Sequence, residues 1–205
     1  MTSSASPPLS RGDRAALWLF SATGAAIGIA VAVAATLRIA QFLRGGAIDV
    51  AVELIDQRVP APLGPGGEEV SVGLDRAILR TELPAASTAA GIIAQVVLTA
   101  TFVTVILCLI LLSRRLVAGS VFGRISTRLV TTAGMTGLIG AAAVQFFDNM
   151  VANGAVARVS DGDYAENAIL SIAPFPFIVA AFAVALICSV FAIGDRLQRD
   201  TEGLV

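Results

Sequence analysis

The chain has 205 residues, of which 56% are hydrophobic and only 14% are charged. A soluble domain carries about a quarter of charged residues, so this balance predicts an integral membrane protein. The net charge of -1 argues against direct binding of nucleic acid, and the lack of His removes the commonest general base and transition-metal ligand.

The first segment, residues 1–14, is small and polar and is predicted to be a disordered cytoplasmic tail. Residues 15–43 are predicted to form transmembrane helix 1, since this apolar run exceeds the roughly 20 residues that cross a bilayer. A cleaved signal peptide ending at Ala34 is the alternative. The length of the apolar run, which continues to Leu43, favours the membrane span.

Residues 44–88 are predicted to be an extracytoplasmic loop that contains a β-hairpin. Apolar and polar residues alternate in 48–54 and again in 70–74, which is typical of strands, and 59–67 is rich in Pro and Gly. We expect these two stretches to pair with each other. Because an isolated hairpin is marginal in water, the hairpin should lie against the membrane face or gain a third strand.

Transmembrane helix 2 is predicted at 89–112. The stretch that follows it, 113–128, indicates the orientation of the chain in the membrane most clearly. It contains four Arg residues and no acidic residue: Arg114, Arg115, Arg124 and Arg128. Positive charge near the ends of membrane spans remains on the cytoplasmic side. We therefore interpret 113–128 as a cytoplasmic connector that fixes the orientation of the other segments.

Transmembrane helix 3 is predicted at 129–147, where Gly134, Gly137 and Gly140 recur at every third position. A stripe of small residues favours close helix packing. Residues 148–171 are predicted to be the second extracytoplasmic loop, in which 155–159 is a candidate third strand.

Transmembrane helix 4 is predicted at 172–193, with two prolines in its first turns, where proline is tolerated. Residues 194–205 are predicted to be a cytoplasmic tail with Arg196 and Arg199 near the membrane. The predicted fold class is therefore an all-α integral membrane protein. Its four transmembrane helices form an up-down bundle with a small β-structured extracytoplasmic cap and both termini in the cytoplasm.

The sequence gives little support for redox chemistry or for a metal or cofactor site. Cys108 and Cys188 lie far apart inside apolar runs and match no CxxC or zinc spacing, so we interpret them as small core residues, with a redox pair as the alternative. We expect no metal site and no cofactor.

A polar cluster is predicted near the outer leaflet around Arg38, which lies in a long apolar helix. A charge is costly there, and one solution is for the long side chain to reach the outer head groups. The alternative is that Arg38 pairs with Asp148, assisted by Gln41, Gln95 and Gln145. Such a cluster is either structural or lines a ligand cavity.

The connector offers a second candidate site, consisting of Phe122 and four arginines: Arg114, Arg115, Arg124 and Arg128. The arginines are explained by membrane topology alone, by contact with anionic lipid, or by docking of a cytoplasmic protein. In the third case Phe122 would be the apolar anchor. The sequence leaves these alternatives open.

The connector and the tail also resemble a family of bacterial four-span membrane proteins, domain-of-unknown-function family 2975. The residues that carry the resemblance are Gly119, Phe122, Arg128-Leu129 and Gly134 in the first region, and Phe191, Gly194, Leu197, Asp200 and Glu202-Gly203-Leu204-Val205 in the second. The resemblance implies the bacterial cytoplasmic membrane as the location. It also implies a cytoplasmic helix-turn-helix regulator as a partner, because genes for such proteins often neighbour those of the family. It implies no catalytic residue.

The expected function is that of a non-enzymatic regulatory or accessory membrane protein, which contacts the lipid bilayer and acts through partner proteins. The alternative is a small four-helix transporter or channel, which would need ionisable groups near the bilayer midplane. A membrane enzyme is disfavoured because no predicted span contains paired carboxylates and the chain has no phosphate-binding loop.

Overall fold

The computed structural model describes residues 11–54, 58–62, 64, 66, 68–73, 75–118, 122–160 and 174–202. Within these residues the order of elements is α1 (Arg11–Arg44), β1 (Ile48–Glu53), β2 (Arg58–Ala61), β3 (Val70–Gly73), β4 (Arg76–Thr81), α2 (Ala85–Val117), α3 (Arg124–Val159) and α4 (Pro174–Glu202). All four helices are long and apolar enough to cross a membrane. The prediction of a mostly helical chain with four long apolar helices and a small β region is confirmed.

The described residues divide into two compact units. The four-helix unit comprises the described parts of Met1–Ala35, Val97–Ala142 and Ala173–Val205, and the strand-bearing unit those of Thr36–Val96 and Ala143–Ile172. Helices α1, α2 and α3 each contribute residues to both units, whereas α4 belongs to the four-helix unit alone.

In the four-helix unit, α1 and α2 run antiparallel. A Cβ placed on Gly28 would lie 3.2 Å from the side chain of Ile106, and the hydroxyl oxygens of Ser21 and Ser113 are 3.4 Å apart. Residues of rising number in α1 thus meet residues of falling number in α2. Glycine brings the two helices close here, as the small residues of packed membrane helices do.

The glycines of α3 pack against α2 and α4, as predicted. Gly140 lies directly against Thr101 of α2, and a Cβ placed on Gly134 would lie 2.5 Å from the Val184 side chain of α4. Further along the same face, the hydroxyl of Thr127 donates to the carbonyl of Phe191 at 3.3 Å. These pairs make α3 antiparallel to α4. The contacts Gly140–Thr101 and Gly137–Val105 make α3 antiparallel to α2 as well, so the four helices alternate in direction within their unit.

Large apolar side chains lie mainly on the outside of the four-helix unit. Trp18, Phe175 and Phe182 are 74%, 75% and 74% exposed. No residue in the most apolar 18-residue stretch of α1 or of α4 is buried. Since water penalises exposed apolar area at about 25 cal/mol per Å², this surface is suited to an apolar surrounding.

The strand-bearing unit contains two antiparallel strand pairs, β1 with β4 and β2 with β3. In the first pair Val50 lies opposite Leu79 and Val52 opposite Ala77. The prediction that 48–54 pairs with 70–74 is therefore wrong, because β4 takes the place beside β1. The alternation in β4 is obscured because the exposed Ile78 directly precedes the half-buried Leu79.

Helices, rather than a third strand, cover the β1–β4 pair. Val50 and Val52 of β1 are buried in one cluster with Ala90 of α2 and with Val151, Ala152 and Ala155 of α3. The candidate third strand at 155–159 is wrong, since these residues belong to α3. Alanine strongly favours helix, and its small side chain allows the strands to approach the helix surface closely.

The helices also extend beyond the predicted membrane spans. Helix α3 continues to Val159, so the first part of the predicted second loop is helical, and α4 continues through most of the predicted tail to Glu202. The predicted disordered tail at 1–14 likewise overlaps α1, which begins at Arg11. The remainder of the second loop, 161–171, lies outside the described residues.

Close packing at Gly140 predicts a measurable asymmetry between two glycines of the same helix. A methyl group at Gly140 would overlap Thr101, whereas one at Gly137 would have Val105 as its nearest neighbour, at 4.0 Å. We expect Gly140→Ala to lower the free energy of unfolding by roughly 1–3 kcal/mol. Denaturant unfolding in detergent measures this loss. The matched control Gly137→Ala should be neutral or slightly stabilising, and equal losses in both variants would contradict the packing.

Candidate functional site

Basic residues collect at one end of the four-helix unit, which we call the arginine-rich end. It is formed by the last turn of α2 with Arg114 and Arg115, by the start of α3 with Arg124, and by the part of α4 that meets Phe122. Arg114, Arg124 and Arg128 are exposed, whereas Arg115 is half-buried and takes part in an interaction. The structure thus brings most of the predicted connector site together on one end.

Phe122 is held by α4 rather than projecting freely. Its ring centroid lies 5.7 Å from that of Phe191, with the ring planes tilted by 57°. Its ring also lies against Gly194, where a Cβ would overlap it. Phe122 is 36% exposed, so part of the ring remains available for an external contact. Because Gly194 has no side chain, it leaves the space that this ring occupies.

An open apolar groove borders Phe122 along the last turns of α4. Its volume is about 530 Å³, and it is lined by Phe122, Val190, Ile193, Gly194, Leu197 and Gln198. This volume lies within the roughly 300–1,000 Å³ typical of ligand sites. The groove could not be predicted from the sequence, because it depends on contacts between residues about 70 positions apart.

One acidic side chain beside the groove is neutralised within α4. Asp195 is buried, and its carboxylate accepts a hydrogen bond of 2.7 Å from Nη2 of Arg199. The Nε of Arg199 also donates to the main-chain carbonyl of Asp195 at 3.1 Å. A spacing of four residues places Asp195 and Arg199 on the same face of a helix, so this pair could be predicted from the sequence.

The second predicted site, around Arg38, lies in the strand-bearing unit. The Arg38 guanidinium donates to Oε1 of Gln41 at 3.0 Å and to the main-chain carbonyl of Asp49 at 2.7 Å. It also lies over the ring of the buried Phe42, with Cζ 5.3 Å from the ring centroid. Arg38 therefore ties the last part of α1 to β1, a contact with the strand that the sequence analysis did not predict.

The other members of the predicted polar cluster are less directly connected to Arg38. Asp148 is close enough to Arg38 for an electrostatic interaction, but the direct contacts of the guanidinium are those to Gln41 and Asp49. Gln95 and Gln145 each take part in an interaction of their own. Pairing of Arg38 with Asp148 stays a prediction.

The two cysteines are free and lie in the four-helix unit, Cys108 buried and Cys188 half-buried. Cys188 lines a second apolar cavity of about 280 Å³ among α2, α3 and α4. Among the described residues, no group of three His, Cys, Asp or Glu side chains could hold a metal ion.

The comparisons with known proteins add no relative: no protein-family model, no curated protein and no solved structure matches the chain. The resemblance to domain-of-unknown-function family 2975 therefore stays a prediction.

The contacts of Arg38 predict which substitutions in this region act together. Arg38→Ala removes the two hydrogen bonds that the charged guanidinium donates. We expect it to lower the free energy of unfolding by about 1–2 kcal/mol. Asp148→Ala should cost less, and the coupling energy between the two substitutions should stay below about 1 kcal/mol, as for a pair without direct contact. Double-mutant unfolding in detergent measures both quantities.

Arg44→Ala is the control for this cycle, since Arg44 is exposed on the same helix. It should cost less than Arg38→Ala and show no coupling to Asp148→Ala. A coupling energy as large as the whole loss in Arg38→Ala would instead make the Arg38–Asp148 pair the main interaction.

Proposed function

We propose that this protein is a multi-pass protein of the bacterial cytoplasmic membrane, crossed by α1, α2, α3 and α4. The support is the length and apolar surface of the four helices, together with the alternation of their directions in the four-helix unit. The excess of arginine at the arginine-rich end supports a cytoplasmic location for that end and for both termini. Residues 44–88 are then extracytoplasmic, as the sequence predicts.

Within this membrane protein, we propose a non-enzymatic regulatory or accessory role that acts through a cytoplasmic partner. The observation that carries the proposal is the clustering of exposed arginines on a helix end fixed by the Phe122–Phe191 and Thr127–Phe191 contacts. A preformed basic surface attracts acidic partners and increases their association rate. The exposed edge of Phe122 supplies an apolar contact at the same place.

The resemblance to domain-of-unknown-function family 2975 suggests the class of partner. If the chain is a member, a helix-turn-helix regulator in the cytoplasm is the candidate, and the membrane protein would hold it away from its DNA. Contact between this protein and nucleic acid is not part of the proposal.

The proposal predicts a cytoplasmic partner that depends on the exposed arginines. Crosslinking in native membranes, followed by purification of the full-length protein, should recover one specific partner with the wild type. We expect Arg114→Gln combined with Arg128→Gln to reduce its recovery about fivefold, since two exposed charge pairs together contribute about 1 kcal/mol. Quantitative mass spectrometry of the crosslinked fraction measures the change.

The matched control is Arg44→Gln combined with Arg158→Gln, which removes the same charge from exposed residues of the strand-bearing unit. Deleting 194–205 is unsuitable as a test, because Gly194 packs against Phe122 and Asp195 is buried. Equal recovery of the partner from both double variants, or the absence of a partner with the wild type, would contradict the proposed role.

A further inference from the structure

The edge of β4 that faces away from β1, which we call the β4 edge, is formed by the main chain of Arg76, Ile78 and Arg80. The amide of Leu54 donates to the carbonyl of Asp75 at 2.9 Å, in the same register as the β1–β4 pair. Hydrogen-bonded and non-hydrogen-bonded pairs alternate along an antiparallel ladder, so the main-chain groups of these three residues point away from β1. Among the described residues, no hydrogen bond reaches these main-chain groups.

The matching edge of β1 is covered by Arg38. By the same alternation the carbonyl of Asp49 points away from β4, and it accepts the hydrogen bond of 2.7 Å from the Arg38 guanidinium. A further strand would have to displace this contact in order to pair with β1. Proteins protect strand edges with charged side chains of this kind. Of the two edges of the β1–β4 pair, the β4 edge is therefore the one open to a further strand.

The side chains along the β4 edge are complementary to an acidic strand. Arg76, Ile78 and Arg80 are all exposed, on the face of β4 opposite to the buried core. On the other side of β4, β1 supplies an acidic, a small apolar and an acidic residue opposite them: Glu53, Ala51 and Asp49. Opposite charges on directly facing residues stabilise a sheet. Each guanidinium has five N–H donors, so it can also bind a carboxylate on the open side.

From these observations, we propose that the β4 edge binds an extended segment of an extracytoplasmic partner protein as an additional β-strand. The main chain of the segment pairs with Arg76, Ile78 and Arg80. Its acidic side chains lie opposite the two arginines, and an apolar side chain lies opposite Ile78. In this mode of recognition the main-chain hydrogen bonds give affinity and the alternate side chains give specificity. The extracytoplasmic location of the partner rests on the proposed membrane orientation, in which residues 44–88 are outside.

A second copy of the chain does not fit the β4 edge within one membrane. Two copies of β4 that pair antiparallel are related by a two-fold axis perpendicular to their shared sheet. The inner face of the sheet packs against one side of α3, at Val151, Ala152 and Ala155. Such an axis would cross α3 instead of running along it, so the second copy would be inverted in the membrane. A separate extracytoplasmic protein has no such restriction.

Binding of a short labelled peptide to the full-length protein in detergent tests the β4 edge. In the acidic peptide, Thr alternates with Glu, Val and Glu in turn, and in the neutral peptide Gln replaces both Glu residues. Fluorescence anisotropy measures the two dissociation constants. We expect the acidic peptide to bind about fivefold more tightly, as for two exposed charge pairs.

Two variants separate the main-chain contact from the charge contact. Ile78→Pro removes one N–H of the β4 edge and keeps the ladder to β1, since proline is tolerated where a strand N–H faces solvent. It should weaken binding of both peptides about tenfold, whereas Ile78→Val should not. Arg76→Gln combined with Arg80→Gln should remove the preference for the acidic peptide. The matched control, Arg44→Gln combined with Arg158→Gln, should retain it.

The outcomes distinguish this inference from the orientation on which it rests. The measurement in detergent does not depend on orientation. Absence of binding there, equal binding of the two peptides, or unchanged binding in both the Ile78→Pro protein and the Arg76 and Arg80 variant would overturn the β4 site alone. In membrane vesicles, the acidic peptide should bind right-side-out but not inverted ones. Binding to inverted vesicles alone would overturn the proposed orientation, and with it the extracytoplasmic partner.

Discussion

Close approach of helix backbones at small residues is the constraint on which the four-helix unit depends. Gly140 lies against Thr101, Gly134 against Val184, and Gly28 against Ile106, so in three pairs of helices the contact is made where a side chain is missing. Large apolar side chains are thereby left on the outside, as Phe175 and Phe182 show. This is the reverse of a soluble helical bundle, whose large side chains fill the core. In a bilayer the arrangement carries no penalty, because lipid chains are as apolar as the exposed side chains and packing comes from close contact.

The strand-bearing unit is packed differently from the four-helix unit, since its buried core consists of valine and alanine side chains. Val52 is fully buried between its strand partner and the helical residues Ala90 and Ala155. Arg38 joins the end of α1 to β1 by its hydrogen bond to the carbonyl of Asp49. A unit with a buried core of this kind suits a part of the protein in contact with water. The arginine-rich end presents exposed arginines from a stretch, 113–128, that has no acidic residue, which is why the proposed partner is placed there.

The helices were predictable from the sequence because each is a long uninterrupted apolar run, and length alone separates such runs from strands. The small-residue face of α3 was predictable from the spacing of its glycines. Strand pairing was not, because Ile78 faces outward in β4 and conceals the alternation that marks a strand. The site was predicted only in part: the connector arginines are evident as a local cluster, whereas the Phe122–Gly194 contact joins distant positions. The same holds for the contact of Arg38 with β1, because its acceptor is the main-chain carbonyl of Asp49, which residue type does not reveal.

Accessibility of two engineered cysteines tests the central claim, which is that the helices cross the membrane with the arginine-rich end in the cytoplasm. In a Cys108→Ala, Cys188→Ala background, Ala118→Cys follows α2 and Val159→Cys lies at the end of α3, both at exposed positions. Both substitutions leave every arginine in place. In intact bacterial cells, a membrane-impermeant maleimide should modify the Val159→Cys protein, and should modify the Ala118→Cys protein only after the cells are broken. Modification of both proteins in intact cells, or the reverse order, would contradict the account.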